Sequence, residues 1–147
     1  MKVTIISVGK AHDSSLKESI LEYTKRTFSS LSTEWVIMPS SSIESEAKAI
    51  LGILKKDDYV ILLDEEGSQM TNMALAELMA DKMNDSTRRM VFVIGGAYGV
   101  NKDIKERANY MWSLSKLVFP HMIVRLILIE QLYRSISILQ GGKYHHE

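Results

Sequence analysis

Five short apolar runs alternate with five stretches of helical periodicity, and no other feature of the chain narrows its fold as far. Val3 to Val8 is β-branched and stops at Gly9; Trp35-Val36-Ile37-Met38 stops at Pro39 and the triplet Ser40-Ser41-Ser42. Tyr59 to Leu63 ends at Asp64-Glu65-Glu66-Gly67, and Met90 to Ile94 ends at Gly95-Gly96-Ala97-Tyr98-Gly99. Ser113 to Phe119 reads as a weaker fifth strand or an extended loop. The helical stretches begin at Ser15-Leu16-Lys17-Glu18 and at Ser41 with Glu44, both with capping-box spacing, the latter running to about Lys55. In the first, Leu16, Ile20 and Leu21, Tyr23 and Thr24, and Thr27 and Phe28 recur at helical intervals. Residues 72–84 form an Ala-, Leu- and Met-rich helix, Asn101 caps one to about Asn109, and Pro120 opens a long one over 122–139. Strands buried on both faces read as continuous apolar runs, and the middle three do so. Regular β–α alternation predicts an α/β sandwich with a mostly parallel sheet between helices.

With 147 residues, 46% hydrophobic, a single domain spanning 1–147 is expected, and a chain this long withdraws roughly 68–70% of its unfolded surface from water. There is no cysteine, which excludes disulfide frameworks, thiolate metal sites and cysteine nucleophiles and agrees with a reducing cytoplasm. No apolar run approaches the roughly 18 residues of a membrane span, and the opening run is short for a signal peptide, so a soluble, cytoplasmic protein is expected. Net charge is zero, with 18 basic and 18 acidic side chains. Residues 101–147, however, carry seven basic side chains against four acidic ones, and also His121, His145 and His146. A phosphate-bearing partner would meet that end, although so small a difference also arises as surface scatter.

The last helix lacks a polar face. Ile123 to Ile129 is apolar nearly all round, interrupted by Arg125, and so needs cover on more than one side. In a chain this short a second copy supplies it, which predicts a homodimer through residues 123–138. The competing reading makes Leu126 to Ile129 a central strand.

Three places could carry chemistry. Gly95-Gly96-Ala97-Tyr98-Gly99 lies between a buried strand and a helix, where ligands of open α/β sheets bind. Its spacing matches neither the dinucleotide fingerprint nor a P-loop, and a tight turn without ligand fits the same residues. Leu114 to His121 is a second loop, whose apolar residues would equally serve as core and whose His121 would equally cap a helix. Arg125 could face a site from within the apolar helix, and Glu130 and Arg134 have ion-pair spacing there. The tail Lys143-Tyr144-His145-His146-Glu147 follows Gly141-Gly142, which can end the helix and turn the chain back. Chain ends are usually frayed. A Tyr and two His could still stack on a base and move protons. Two adjacent His and a Glu rarely converge on one ion, so no metal site is expected.

Read together, Lys2 to Gly9 with Lys10, Glu22-Tyr23-x-Lys25-Arg26, Phe92-Val93-Ile94-Gly95-Gly96-x-x-Gly99, Ser113-Leu114-Ser115, Phe119-Pro120-His121, Arg125-x-x-Leu128-x-Glu130-Gln131-x-Tyr133-Arg134 and Tyr144-His145 resemble the bacterial RlmH (YbeA) family of the SPOUT superfamily. The resemblance covers the whole chain. It implies a C-terminal trefoil knot, a topology that general fold rules would never propose, and an obligate homodimer. It implies methyl transfer from S-adenosyl-L-methionine to N3 of a pseudouridine in 23S rRNA, on the assembled ribosome. Carried over, the cofactor residues are Leu63, Gly95, Gly96, Leu114, Ser115, Lys116, Leu117, Val118 and Phe119, acting mainly through backbone groups. His121, Arg125, Tyr144 and His145 would surround the target base, with Glu130 and Arg134 orienting or structural. Two departures stand out: the segment from about Ser40 to Ala49 is shorter than usual for the family, and His146 stands where a basic residue commonly follows. The alternatives are a SPOUT enzyme with another RNA acceptor and a non-catalytic nucleotide-binding module.

Overall fold

A computed structural model describes residues 1–146; Glu147, the last member of the considered His–His–Glu cluster, lies outside the described residues. The strands are β1 (Lys2–Val8), β2 (Thr33–Met38), β3 (Tyr59–Ser68), β4 (Arg89–Ile94) and β5 (Tyr110–Trp112). The helices are α1 (Ser14–Phe28), α2 (Ile43–Ile53), α3 (Asn72–Asn84), α4 (Lys102–Arg107) and α5 (His121–Leu139). All strand pairs are parallel, in the order β2-β1-β4-β3-β5.

The period-two alternation of each central strand sorts its side chains onto two cores. Val3 and Ile5 of β1, Ile61 of β3 and Met90, Phe92 and Ile94 of β4 meet Ile20 of α1, Leu75 and Met79 of α3 and Leu128, Ile129, Leu132 and Ile136 of α5. Ile6 and Val8, Val60 and Leu62, and Val91 and Val93 face the other way, against Ala47 and Ile50 of α2 and Ile104 of α4. The sheet is thus sandwiched by helices as expected, and Leu126 to Ile129 is helix, not strand.

Several local expectations shift. The Ser15–Glu18 capping box does not form: the cap is Asp13, two residues earlier, and its carbonyl accepts from Leu16 and Lys17 without a side-chain cap. At α2 the cap is Ser42, one residue after the expected Ser41, and its hydroxyl accepts from the Ser45 N–H at 3.1 Å. Ser41 instead donates its own N–H to buried Glu46. The helix stops at Ile53 rather than Lys55, since Leu54 is extended. Asn101 does cap α4, accepting from Ile104, but the helix ends at Arg107 because Ala108 is extended and Asn109 bonds β3. The fifth strand is Tyr110–Trp112, and most of 113–120 is loop. Trp35 to Met38 is not one of the strands enclosed on both faces. It lies in edge strand β2, whose middle residues are half-buried, and β1 takes the central place between β2 and β4.

Gly141 and Gly142 close α5 as expected. Gly141 takes φ +70, a conformation costly for side chains with a Cβ. Its N–H bonds the Ile138 carbonyl and that of Gly142 bonds Ser137, the paired C-terminal closure of a Schellman turn. Among the described residues no helix is long and apolar enough to cross a membrane.

A buried ion pair ties the start of β4 to the loop before β3. Arg89 Nε donates to Asp58 at 2.9 Å, and the Asp58 side chain is only 2% exposed. Burial alone would raise the Asp58 pKa, but hydrogen bonds from Arg89 and the Lys55 N–H, with the nearby positive charge, hold it below the ordinary carboxylate value. Its stabilisation is therefore present above about pH 3.9 and lost as pH falls through the lower folded value. Asp58→Asn is expected to cost about 3 kcal/mol at pH 7 in urea unfolding, with the gap from wild type shrinking below about pH 4.

Candidate active site

Parallel strands deliver their carboxyl ends to one edge of the sheet, and the loops leaving them enclose a cavity of about 790 Å³. After β4 the chain makes a tight turn: the Gly99 N–H donates to the Gly96 carbonyl at 3.0 Å, and Gly99 holds φ +80. A Cβ on Gly95 would stand 2.8 Å from the Val100 side chain, and one on Gly96 would meet Glu46 at 3.2 Å. Bare backbone therefore forms this wall. The opposite wall is the 114–119 loop, where Leu117 and Val118 are 70% and 77% exposed beside the opening. Leu63 and Trp112 line the cavity from β3 and β5, and His121 and Val124 from the start of α5.

Of the residues singled out as cofactor-binding, Leu63, Gly95, Gly96, Leu114, Ser115, Leu117, Val118 and Phe119 line this cavity, and Lys116 does not. Asp64, Glu65, Ile94, Tyr98 and Val100 line it without having been singled out. Asp64 and Glu65 follow the apolar run that was expected to end the strand, but β3 continues through them to Ser68. Their carboxylates add negative charge beside a cavity walled by backbone, a setting for a cationic ligand of small-molecule size.

His121 is in the cavity wall, with Nε2 3.0 Å from where a Gly9 Cβ would lie. It caps nothing: Pro120 holds the cap position without a side-chain bond. Arg125 is elsewhere. It is fully buried beneath the wall, donating Nε to Ser7 at 2.7 Å and Nη1 to the Lys10 carbonyl at 2.8 Å. Nη1 also lies 3.3 Å from His12 Nδ1, which accepts because guanidinium cannot. Burial, with the positive charges of Arg125 and Lys17, lowers the His12 pKa, so that ring stays neutral. Arg125 Nη2 has no partner among the described residues.

The tail docks rather than frays, against α1 and the middle of α5. Glu130 Oε1 accepts from Arg134 Nη2 at 2.6 Å and from the Tyr144 hydroxyl at 3.0 Å. Because Tyr144 donates there, the Tyr23 hydroxyl at 3.0 Å donates to Tyr144. Arg134 lies over the Tyr144 ring, and its Nη1 is 3.1 Å from His145 Nδ1. Burial, the Tyr23 hydrogen bond and Glu130 push the Tyr144 phenol well above its ordinary pKa, leaving it a neutral donor. The Glu130–Arg134 pair is as expected. Tyr23 stands in the sequence as a core-facing position of the first helix and in the Glu22-Tyr23-x-Lys25-Arg26 motif, and neither signals its contact with a residue at the far end of the chain. From His121 to Arg134 the helix advances about 20 Å. Tyr144 and His145 are thus remote from the cavity of their own protomer. Among the described residues no group of three or more His, Cys, Asp or Glu is arranged to hold a metal.

An α/β sandwich whose cavity is walled by a glycine turn and an apolar loop is a small-molecule-binding protein built at the carboxyl edge of a parallel sheet. The family model described as "Predicted SPOUT methyltransferase" matches residues 1–145, and the chain belongs to that family. The ribosomal RNA large subunit methyltransferase H of Bacteroides thetaiotaomicron is 37% identical over 157 aligned positions, covering 100% of both chains. That of Cytophaga hutchinsonii is 39% identical over 155, covering 99% of this chain and 100% of its own. Among solved structures, the SpoU methyltransferase AviRb from Streptomyces viridochromogenes in complex with AdoMet aligns with a TM-score of 0.46 and 9% identity, covering 97% of this chain and 61% of that one.

Arg125→Lys keeps the charge but cannot reach Ser7 and Lys10 together. It is expected to lower stability by about 2 kcal/mol in urea unfolding.

Proposed function

We propose that this protein transfers a methyl group from S-adenosyl-L-methionine to N3 of a pseudouridine in 23S rRNA, with the assembled ribosome as substrate. The observation that carries the reading is the backbone-walled cavity between the Gly95–Gly99 turn and the 114–119 loop, in a chain of this family. The large-subunit rRNA acceptor follows the printed names of its relatives; the pseudouridine N3 follows the resemblance of its motifs, and so does a trefoil-knotted C-terminal region.

The cavity fits the methyl donor. Its volume lies in the small-molecule range, bare glycine backbone offers close approach to polar groups, and Asp64 and Glu65 suit a positively charged sulfonium. Leu63, Gly95, Gly96, Leu114, Ser115, Leu117, Val118 and Phe119 would hold the donor. When bound, it supplies an electrophilic methyl carbon. The protein's own contribution is alignment, which can lower a barrier by several kcal/mol. His121 stands in the wall where the acceptor enters, Arg125 fixes α5 beneath it, and Tyr144 and His145 contact the target base.

With Tyr144 held at Glu130 and His145 at Arg134, about 14 and 20 Å beyond His121 along α5, a complete site takes the tail of another protomer. Ile123, Leu126 and Ile127 are only half-buried on α5, and exposed Leu117 and Val118 add apolar surface nearby. A homodimer packed through α5 covers this face and brings one protomer's tail toward its partner's cavity.

Purified protein is expected to methylate 70S ribosomes lacking the modification and to leave free 23S rRNA and tRNA unmodified, read as label transferred from S-adenosyl-L-methionine. Label on tRNA or free 23S rRNA alone refutes the acceptor, and no binding of the donor in calorimetry refutes the enzyme. Light scattering at micromolar concentration is expected to give twice the chain mass; a monomer defeats the shared site.

A further inference from the structure

The tail presents His145 in a defined hydrogen-bonding state. Arg134 is anchored by two bonds to Glu130 Oε1, from Nε at 3.0 Å and Nη2 at 2.6 Å, which leaves Nη1 directed at His145 Nδ1 at 3.1 Å. A guanidinium has donors only, so Nδ1 must accept and the ring proton must stand on Nε2. An imidazolium would set two N–H groups against each other. The charged and titratable groups of this cluster come from three segments. On α5 they are Arg134, Glu130 and Tyr133, with Glu130 also taking the Tyr144 hydroxyl and Gln131 Nε2. On α1 they are Tyr23 and Arg26, the latter over the rings of Tyr23 and Tyr133; Lys143, Tyr144 and His146 adjoin along the tail. Of the described carboxylates here, Glu130 is engaged by Arg134 and Glu22 of α1 by Arg26. No described hydrogen bond uses His145 Nε2.

We propose that His145 acts in methyl transfer as a hydrogen-bond donor, through Nε2–H, to a carbonyl oxygen flanking N3 of the target imide, and not as the base that takes the N3 proton. This rests on the methyltransferase reading above. N3 lies between two carbonyls, so loss of its proton spreads negative charge onto both oxygens. A donor aimed at one of them favours the anion and lowers the imide pKa in the site. The N3 proton passes to solvent water. The N3–CH3 bond then forms as the sulfonium S–CH3 bond breaks, its electron pair staying on sulfur, so anion and cation give two neutral products. His145 keeps its proton throughout, and Arg134 is the positioning residue that fixes which nitrogen carries it.

The test compares His145→Ala and His145→Gln, the amide of Gln supplying an N–H near the place of Nε2–H. On ribosomes His145→Ala is expected to lower kcat about 100-fold, the loss typical of one donor to a developing oxyanion. It also moves the rising limb of the pH–rate profile to higher pH. His145→Gln restores kcat to within about tenfold and returns the limb to its wild-type position. The idea is overturned if Gln is as inactive as Ala, or if wild type shows a limb near the ordinary imidazole value of about 6.5 that Gln removes. Independently of activity, nitrogen-15 spectra of the protein alone are expected to place the ring proton on Nε2 between pH 7 and 8; a proton on Nδ1 overturns the proposal. A wild-type protein that methylates no ribosome defeats the functional reading itself, and the tautomer measurement separates the two failures.

Discussion

Arg125 is a buried guanidinium with no carboxylate partner among the described residues, and much of the structure depends on that group staying where it is. Burying a charge is costly unless hydrogen bonds replace its water. Here the Ser7 hydroxyl and the Lys10 carbonyl do so, at the carboxyl end of β1 and just beyond it. The same bonds set the position of α5 along the sheet. Its first turn consequently forms part of the cavity wall, and its middle lies against α1, where the tail docks. Gly9 takes φ +136 directly against His121 and Arg125, so the turn after β1 and the start of α5 are built as one unit.

From that placement two separate surfaces arise on one helix. At its amino end are the glycine turn, the 114–119 loop and His121, a cavity with few charges of its own. Farther along are Glu130, Arg134, Tyr144 and His145, a polar cluster whose members satisfy one another. The residues lining the cavity do not include Glu130, Arg134, Tyr144 or His145. The cavity and the polar cluster are therefore separate features of one helix. The chain's overall neutrality suits recognition by fit at a preformed site more than by long-range attraction.

The strand–helix order, the carboxyl-edge location of the cavity and most of its lining were legible because they follow from local rules. Continuous apolar runs mark the strands, although β3 runs on through Asp64-Glu65-Glu66-Gly67 to Ser68, and parallel sheets open their clefts where the strands end. Capping was legible only to within two residues: Ser15, Ser41 and their partners have suitable spacing, but the caps are Asp13 and Ser42. Trp35 to Met38 resembles a central strand in composition, and only the strand order exposes it as an edge. Arg125 carries no sequence mark distinguishing a buried pin from a site cation, because its partners Ser7 and Lys10 are more than a hundred residues away. The same holds for Tyr23 and Tyr144.

The sequence by itself determined the layered α/β class, the parallel sheet, the glycine turn and the ending of α5, since each depends on residues a few positions apart. Tertiary structure alone decided that Arg125 is buried, that the tail is ordered against α1 and α5, and that Tyr144 and His145 stand away from their own cavity. The burial of Arg125 and the docking of Tyr144 on Tyr23 are set by contacts across more than a hundred residues of chain, and the rest of the tail's docking needs the turn after α5 to fold it back, which no local pattern encodes.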